Sequence, residues 1–298
     1  MKPIVISTVA GALVAACAWA QPGPFCSVRI EYDCPGANRN PLVYALTNNP
    51  QTGAAGFGAV HLGSGAFVPI GPTLPSDLGH ALAPAPNGSL LSMAFSGKLY
   101  SINPKTGATS VVGPTGLGDC TTPASPCGPN SAVTLGLLDG KYYALDFSQN
   151  LYSLDPATGA TKLIGPTGMP QITFVPLSID VTMKLNVFEE NLFTFRGKLY
   201  ANFDTGKIDL SSGAETAVIP AALYQIDPET GHANMIAPTD IGLLTIVNVD
   251  DKIYAFDAVH DRFVTVNPET GRTQMVSGLD PSAGLVCGAT PAVSSSLH

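Results

Sequence analysis

Apolar and polar positions alternate in short runs along most of this chain, and the runs recur. Leu99 to Ile102 alternates as a half-buried strand does, and Asn103-Pro104-Lys105-Thr106-Gly107 follows it. An apolar run through Val111 and Val112 then stops at Gly113-Pro114-Thr115-Gly116. The same pattern returns from Leu151 to Gly168 and from Leu223 to Asp240, with a looser copy from Phe263 to Gly278. A further copy, Phe57 to Thr73, lacks the Asx-Pro pair but keeps Gly65 and the Gly-Pro-Thr stop. Each copy predicts two strands and a tight turn. The Asx side chain bonds the backbone ahead of it, Pro sets φ, and Gly accepts a positive φ. Asp155 and Asp227 are therefore expected to be turn formers rather than metal ligands.

Other strands share this period. Tyr44-Ala45-Leu46, Leu91-Ser92-Met93, Tyr143-Ala144-Leu145, Tyr200-Ala201-Asn202 and Tyr254-Ala255-Phe256 each precede a copy. Val133 to Leu137, Leu192 to Phe195 and Leu244 to Val247 lie one strand earlier still, with His80-Ala81-Leu82 a weaker equivalent. The unit is thus four strands, here called A to D, and unit starts recur every roughly 40 to 70 residues. Four-stranded units repeated without helices predict an all-β protein, a β-propeller. The first unit has no A strand of its own. Ala283 to Thr290 is left over at the other end and fits that place, so the expectation is five four-stranded blades closed by the C-terminal strand. A sixth blade would have to come from residues 171–187.

The motif L-Y-x-[IL]-[DN]-P-x-T-G followed by I-G-P-T-G resembles the propeller repeats of secreted bacterial proteins. It is similar in style to the NHL, YVTN and PQQ-like repeat families. The likeness covers nearly all of the chain after its first segment. It implies the fold and says little about activity, because this fold hosts hydrolases, lyases, lactonases and pure binding scaffolds alike.

Composition narrows the function classes. Fourteen Lys and Arg stand against 22 Asp and Glu, for a net charge of -8. With no basic cluster, nucleic acid is not an expected partner. Lys2, the apolar run Ile4 to Ala16 and Ala18-Trp19-Ala20 read as a signal peptide cleaved before Gln21. Val14-Ala15-Ala16-Cys17 is a competing lipid-attachment sequence, so secreted or periplasmic location is expected, with anchoring at Cys17 the alternative. No membrane span is expected in the mature chain, and a monomer is. The domain plan is a signal at 1–20, a cysteine-containing cap at 21–39, one propeller at 40–293 and a tail at 294–298. In an oxidising compartment Cys26 with Cys34, and Cys120 with Cys127, are plausible local disulfides, which leaves Cys287 odd. No C-x-x-C pair supports zinc.

Chemistry is sought on the face where loops vary. D–A and B–C loops emerge on one face of a propeller, and Gly116 to Asn130, Met169 to Glu189, Asp204 to Pro220 and Asn48 to Gly56 all belong to it. Long variable loops on a regular scaffold are the usual seat of binding. The polar groups expected there are His80, Asn130, Asp146, Glu189, Glu190, Asn191, Asp204, Asp257, His260 and Asp261. Catalytic residues are not assigned. No nucleophile elbow, metalloprotease helix, phosphate loop, dinucleotide fingerprint or EF-hand loop occurs. The leading expectation is a binding or scaffold propeller holding a protein, peptide or small ligand. The alternative is a Ca2+-dependent hydrolase or lactonase at the mouth of the channel, with Glu190 and Asn130 as metal ligands and His80 beside them; Ca2+ takes six to eight oxygens.

Overall fold

The computed structural model describes residues 26–30, 42–48, 55–75, 81–94, 96–118, 132–171, 184–209, 211–212, 215–257, 260, 262–278 and 286–290. Every regular element among them is a β-strand. The first blade holds β1 (Cys26–Ile30), β2 (Leu42–Asn48), β3 (Ala55–His61) and β4 (Phe67–Pro69). The second holds β5 (Ala83–Pro84), β6 (Leu90–Met93), β7 (Lys98–Ile102) and β8 (Thr109–Pro114). The third holds β9 (Ala132–Leu138), β10 (Lys141–Asp146), β11 (Asn150–Leu154) and β12 (Thr161–Pro166). The fourth holds β13 (Lys184–Phe195), β14 (Lys198–Asp209), β15 (Glu215–Ile226) and β16 (Ala233–Pro238). The fifth holds β17 (Thr245–Val249), β18 (Lys252–Asp257), β19 (Arg262–Val266) and β20 (Thr273–Gly278). Each of the last four sheets is an antiparallel meander, and the whole is a five-bladed β-propeller. Among the described residues the sheets make five blades, and residues 184–187, part of the span a sixth blade would have needed, belong to β13 of the fourth.

The turns form as their chemistry requires. Asp155 Oδ1 accepts the Ala157 N–H at 2.9 Å and Asp155 Oδ2 the Thr158 hydroxyl at 2.7 Å. Asp227 repeats both contacts with Glu229 and Thr230 at 2.9 Å. Gly159 and Gly231 close these turns at φ 82° and 83°, where a side chain would be strained.

The repeated motif also joins neighbouring blades. Gly113, at the end of β8, lies so close to the next blade's turn that an added Cβ would collide with the Thr158 carbonyl oxygen. At Gly165 the Cβ would lie 2.5 Å from the Thr230 carbonyl oxygen. Thr161 Oγ1 donates to the Thr115 carbonyl at 2.6 Å across one of these junctions. Between the fifth and first blades, the Ser277 hydroxyl donates to the Leu62 carbonyl at 2.6 Å. Ser277 takes the place of Gly113, and Leu62 lies in the turn after β3, two residues before the position that Thr158 holds in its own turn, so this junction too joins an outer strand to the next blade's turn. Apolar clusters fill the space between blades. Leu199, Phe203 and Tyr224 pack with Tyr143 and Leu145, and Phe256 and Phe263 pack with Phe193 and Val60.

Closure involves both ends of the chain. β21 (Val286–Thr290) lies antiparallel to β2, with Cys287 opposite Leu46 and Val286 opposite Thr47. The residues expected to form a cap contribute a strand as well, because β1 pairs with β2 from Cys26–Leu46 to Ile30–Leu42 and runs parallel to β21. Cys34, Cys120 and Cys127 lie outside the described residues, so the expected bridges to Cys26 and between Cys120 and Cys127 do too.

Candidate functional site

The B–C connections and the segment 239–244 reach the same face of the ring. The polar residues expected there divide by what they touch. His80, Asn130 and Asp261 lie outside the described residues. Asp204 stands within β14 rather than in a loop, and Glu189, Glu190 and Asn191 stand within β13. The reason is that Lys184 to Phe188 pairs with Thr205 to Asp209, and Glu215 to Ile219 completes the ladder, so part of each expected loop is sheet.

Asp146 ends β10 fully buried. Its Oδ1 accepts the Asn150 N–H at 2.8 Å, and its Oδ2 accepts the Asn150 amide at 3.1 Å and the Tyr152 hydroxyl at 2.9 Å. Burial, and then that bond to Asp146, push the Tyr152 hydroxyl up to about 12. Asp257 ends β18 in the same way and binds His260 and Arg262. Both aspartates act as internal pegs that close a B–C turn.

Alternation along β13 sends Glu190 and Glu189 to opposite sides of the blade. Glu190 is buried and faces the third blade, where Gln149 Nε2 donates to its Oε2 at 3.1 Å. Its Oε1 and the Oε1 of Gln149 are both buried without a hydrogen-bond partner among the described residues. Burial pushes the Glu190 carboxyl from 4.5 up to about 8, with Asp146 raising it further and the Gln149 bond opposing. Glu189 lies directly opposite Asp204 in the β13–β14 register. A Cβ on Gly242 would lie 2.6 Å from Glu189 Oε2 and 2.8 Å from Asp204 Oδ2, so an oxygen of each carboxylate reaches the Gly242 backbone.

Asn191 is a clamp. Its amide donates to Asn202 Oδ1 at 3.1 Å and to the carbonyls of Leu243 and Leu244 at 3.2 and 3.0 Å, while Asn202 Nδ2 donates to Leu243 at 2.8 Å. These bonds fix the connection into the fifth blade beside the two carboxylates. Asn202 could have been found from sequence, because it puts an amide where the other copies have Leu145 and Phe256. Gln149 and Arg262 carried no such signal.

An open groove of about 940 Å³ lies at the opposite end of the fourth and fifth blades, lined by Arg196, Lys252, Glu269, Arg272 and Met275 among others. It is remote from every residue expected on the loop-rich face. Among the described residues no group of three or more His, Cys, Asp or Glu is placed to hold a metal.

The strand topology makes this chain a β-propeller, and its solved neighbours are β-propellers too. Neither a family model nor a curated protein matches the chain. One neighbour is the crystal structure of a nidogen/laminin complex, with TM-score 0.45 and 9% identity over 84% of this chain and 97% of that one. Another is a catalytically inactive virginiamycin B lyase from Staphylococcus aureus with quinupristin, with TM-score 0.35 and 11% identity over 92% of this chain and 76% of that one.

Proposed function

We propose that this chain is an exported binding propeller that holds a protein, peptide or small ligand on its loop-rich face. The observation that carries this reading is the fourth blade. Its first three strands run 12 residues each, against five to seven in the third and fifth blades. The surplus projects from the face as a hairpin. Breaks in register between Phe203 and Gly206 re-aim it, as β-bulges do. Phe188 stacks edge-on against Phe147 of the neighbouring blade, 5.0 Å between centroids, and braces its base. Asp209 holds its tip through the N–H groups of Ser211 at 2.9 Å and Ser212 at 3.1 Å. The Ser211 hydroxyl and these N–H groups bring the Asp209 carboxyl down to about 2. A projection held this way loses little freedom on binding. The signal-like first 20 residues support export.

The test replaces Ile208 to Ala217 with Asn-Gly and compares what the two proteins capture from the envelope fraction of the source cell. An unchanged melting temperature with loss of the captured partner is the expected result. Identical capture by both proteins would reject the hairpin as the binding element.

A second reading, a Ca2+-assisted hydrolase or lactonase, is favoured by the meeting of Glu189 and Asp204 at Gly242. Glu190 and Asn130 were its expected ligands. Asn130 lies outside the described residues, and a cation at Glu190 would first have to displace the proton that burial retains there. If this reading holds, millimolar Ca2+ raises the melting temperature above that in EDTA, and Glu189→Gln removes the rise. A rise that survives Glu189→Gln would set the pair aside.

A further inference from the structure

Asp146 and Asp257 occupy equivalent positions in two blades, yet the fifth blade spends its buried carboxylate differently. In the third blade the partners are Asn150 and Tyr152, both partly buried and uncharged. In the fifth, the connection is one residue longer: Leu151 follows Asp146 at the fifth place, and Phe263 follows Asp257 at the sixth. The partners here are His260 and Arg262. His260 Nδ1 and Arg262 Nε each lie 2.7 Å from Asp257 Oδ2, and the His260 N–H lies 3.2 Å from Oδ1. The His260 side chain remains 56% exposed and that of Arg262 29%, while Asp257 is 1% exposed. Among the described residues, His260 Nε2 and the two Arg262 Nη nitrogens have no hydrogen-bond partner.

We propose that Asp257, His260 and Arg262 form an oxyanion-binding site on the loop-rich face. A guanidinium that donates only Nε to its anchor keeps its Nη fork for a second anionic group, and that fork fits carboxylate or phosphate oxygens. An imidazole whose Nδ1–H is held by a carboxylate presents Nε2 as an acceptor. The two outer ends start side by side on one oxygen. Together they fit an oxyanion that carries an O–H beside its charged oxygens: a hydroxycarboxylate or a hydrogen phosphate. The shared anchor orients both side chains before the ligand arrives, which reduces the entropy lost on binding. The chain's charge of -8 gives such a ligand no long-range attraction, so binding rests on these short contacts. The site does not use the projecting hairpin, and the variant lacking Ile208 to Ala217 retains it.

The test titrates the full chain with glycolate, acetate and inorganic phosphate at constant ionic strength, following the His260 ring signals by NMR, assigned through His260→Ala. Saturable shifts with glycolate or phosphate are expected, and the stronger of the two identifies the carboxylate or the phosphate source. Arg262→Lys keeps a cation beside Asp257 but removes the fork, and weakens binding by about tenfold or more. His260→Ala leaves the Arg262–Asp257 pair in place; followed by calorimetry, it loses the preference for glycolate over acetate. No saturable shift with either glycolate or phosphate overturns the proposal, as does equal affinity in Arg262→Lys. Loss of capture by the hairpin variant with anion binding intact separates this site from the hairpin reading.

Discussion

Glu190 shows how one position can be visible in the sequence and still change its meaning in the fold. A carboxylate pair, Glu189-Glu190, inside an apolar stretch reads as a loop-face feature. Strand alternation instead separates the two, placing one against Gln149 and the other against Asp204. The buried carboxyl has a stability consequence of definite sign. Its folded value, about 8, lies above the ordinary 4.5, so its contribution is complete below about 4.5 and is lost as the pH rises through 8. Relative to Glu190→Gln, the wild type should lose stability over that window by on the order of 1 kcal/mol per pH unit. Urea melts of both proteins at several pH values measure the difference. A flat difference would mean that the carboxyl is solvated. The Asx turns needed no such correction. Asp155 and Asp227 cap their own backbone, because a short carboxylate followed by Pro-x-Thr-Gly has its best partners within the next three residues.

Among the elements, the outer strands carry the contact that builds the ring. Gly113 and Gly165 lie where the next blade's turn presses its carbonyl against the sheet. Ala237 and Ser277 occupy the same place in the last two blades; at the fourth, a Cβ on Gly271 of the next turn would still collide with the Pro238 carbonyl oxygen, and at the fifth the Ser277 hydroxyl makes a hydrogen bond to the Leu62 carbonyl. Gly113→Val should cost about 1–3 kcal/mol through overpacking, whereas Ser277→Gly should cost less and loosen only the last junction. Chemical denaturation of the two variants distinguishes the positions, and equal costs would contradict the interlock. The exposed faces of these strands behave differently. Val111, Leu163, Met235 and Met275 recur at one repeat position and are 54–59% exposed, so their apolar character reflects strand preference more than core burial. Sequence alternation alone would have placed them inside.

The whole molecule depends on closing a ring whose first and last pieces are far apart in the chain. Both β1 and β21 lie on the inner edge of β2. Deleting everything from Ala283 should therefore lower the melting temperature clearly while β1 keeps part of the edge covered. Calorimetry on the truncated protein tests this, and an unchanged melting temperature would refute closure by β21. Repeat length, turn chemistry and strand alternation are local properties, written within a few residues of where they act. That is why the amino-acid order alone was enough to call for an all-β ring of five four-stranded blades, for its Asx turns, and for the last strand's return to the first blade. Contacts between residues far apart in the chain have no such local mark. The pairing of Lys184–Phe195 with Lys198–Asp209 turned expected loop into sheet and set Glu189 opposite Asp204, the segment 239–244 laid Gly242 against both carboxylates, and the fifth blade's longer connection joined His260 and Arg262 on one buried aspartate. Packing decided these, because burial and hydrogen-bond geometry are set by neighbours that the linear chain does not name.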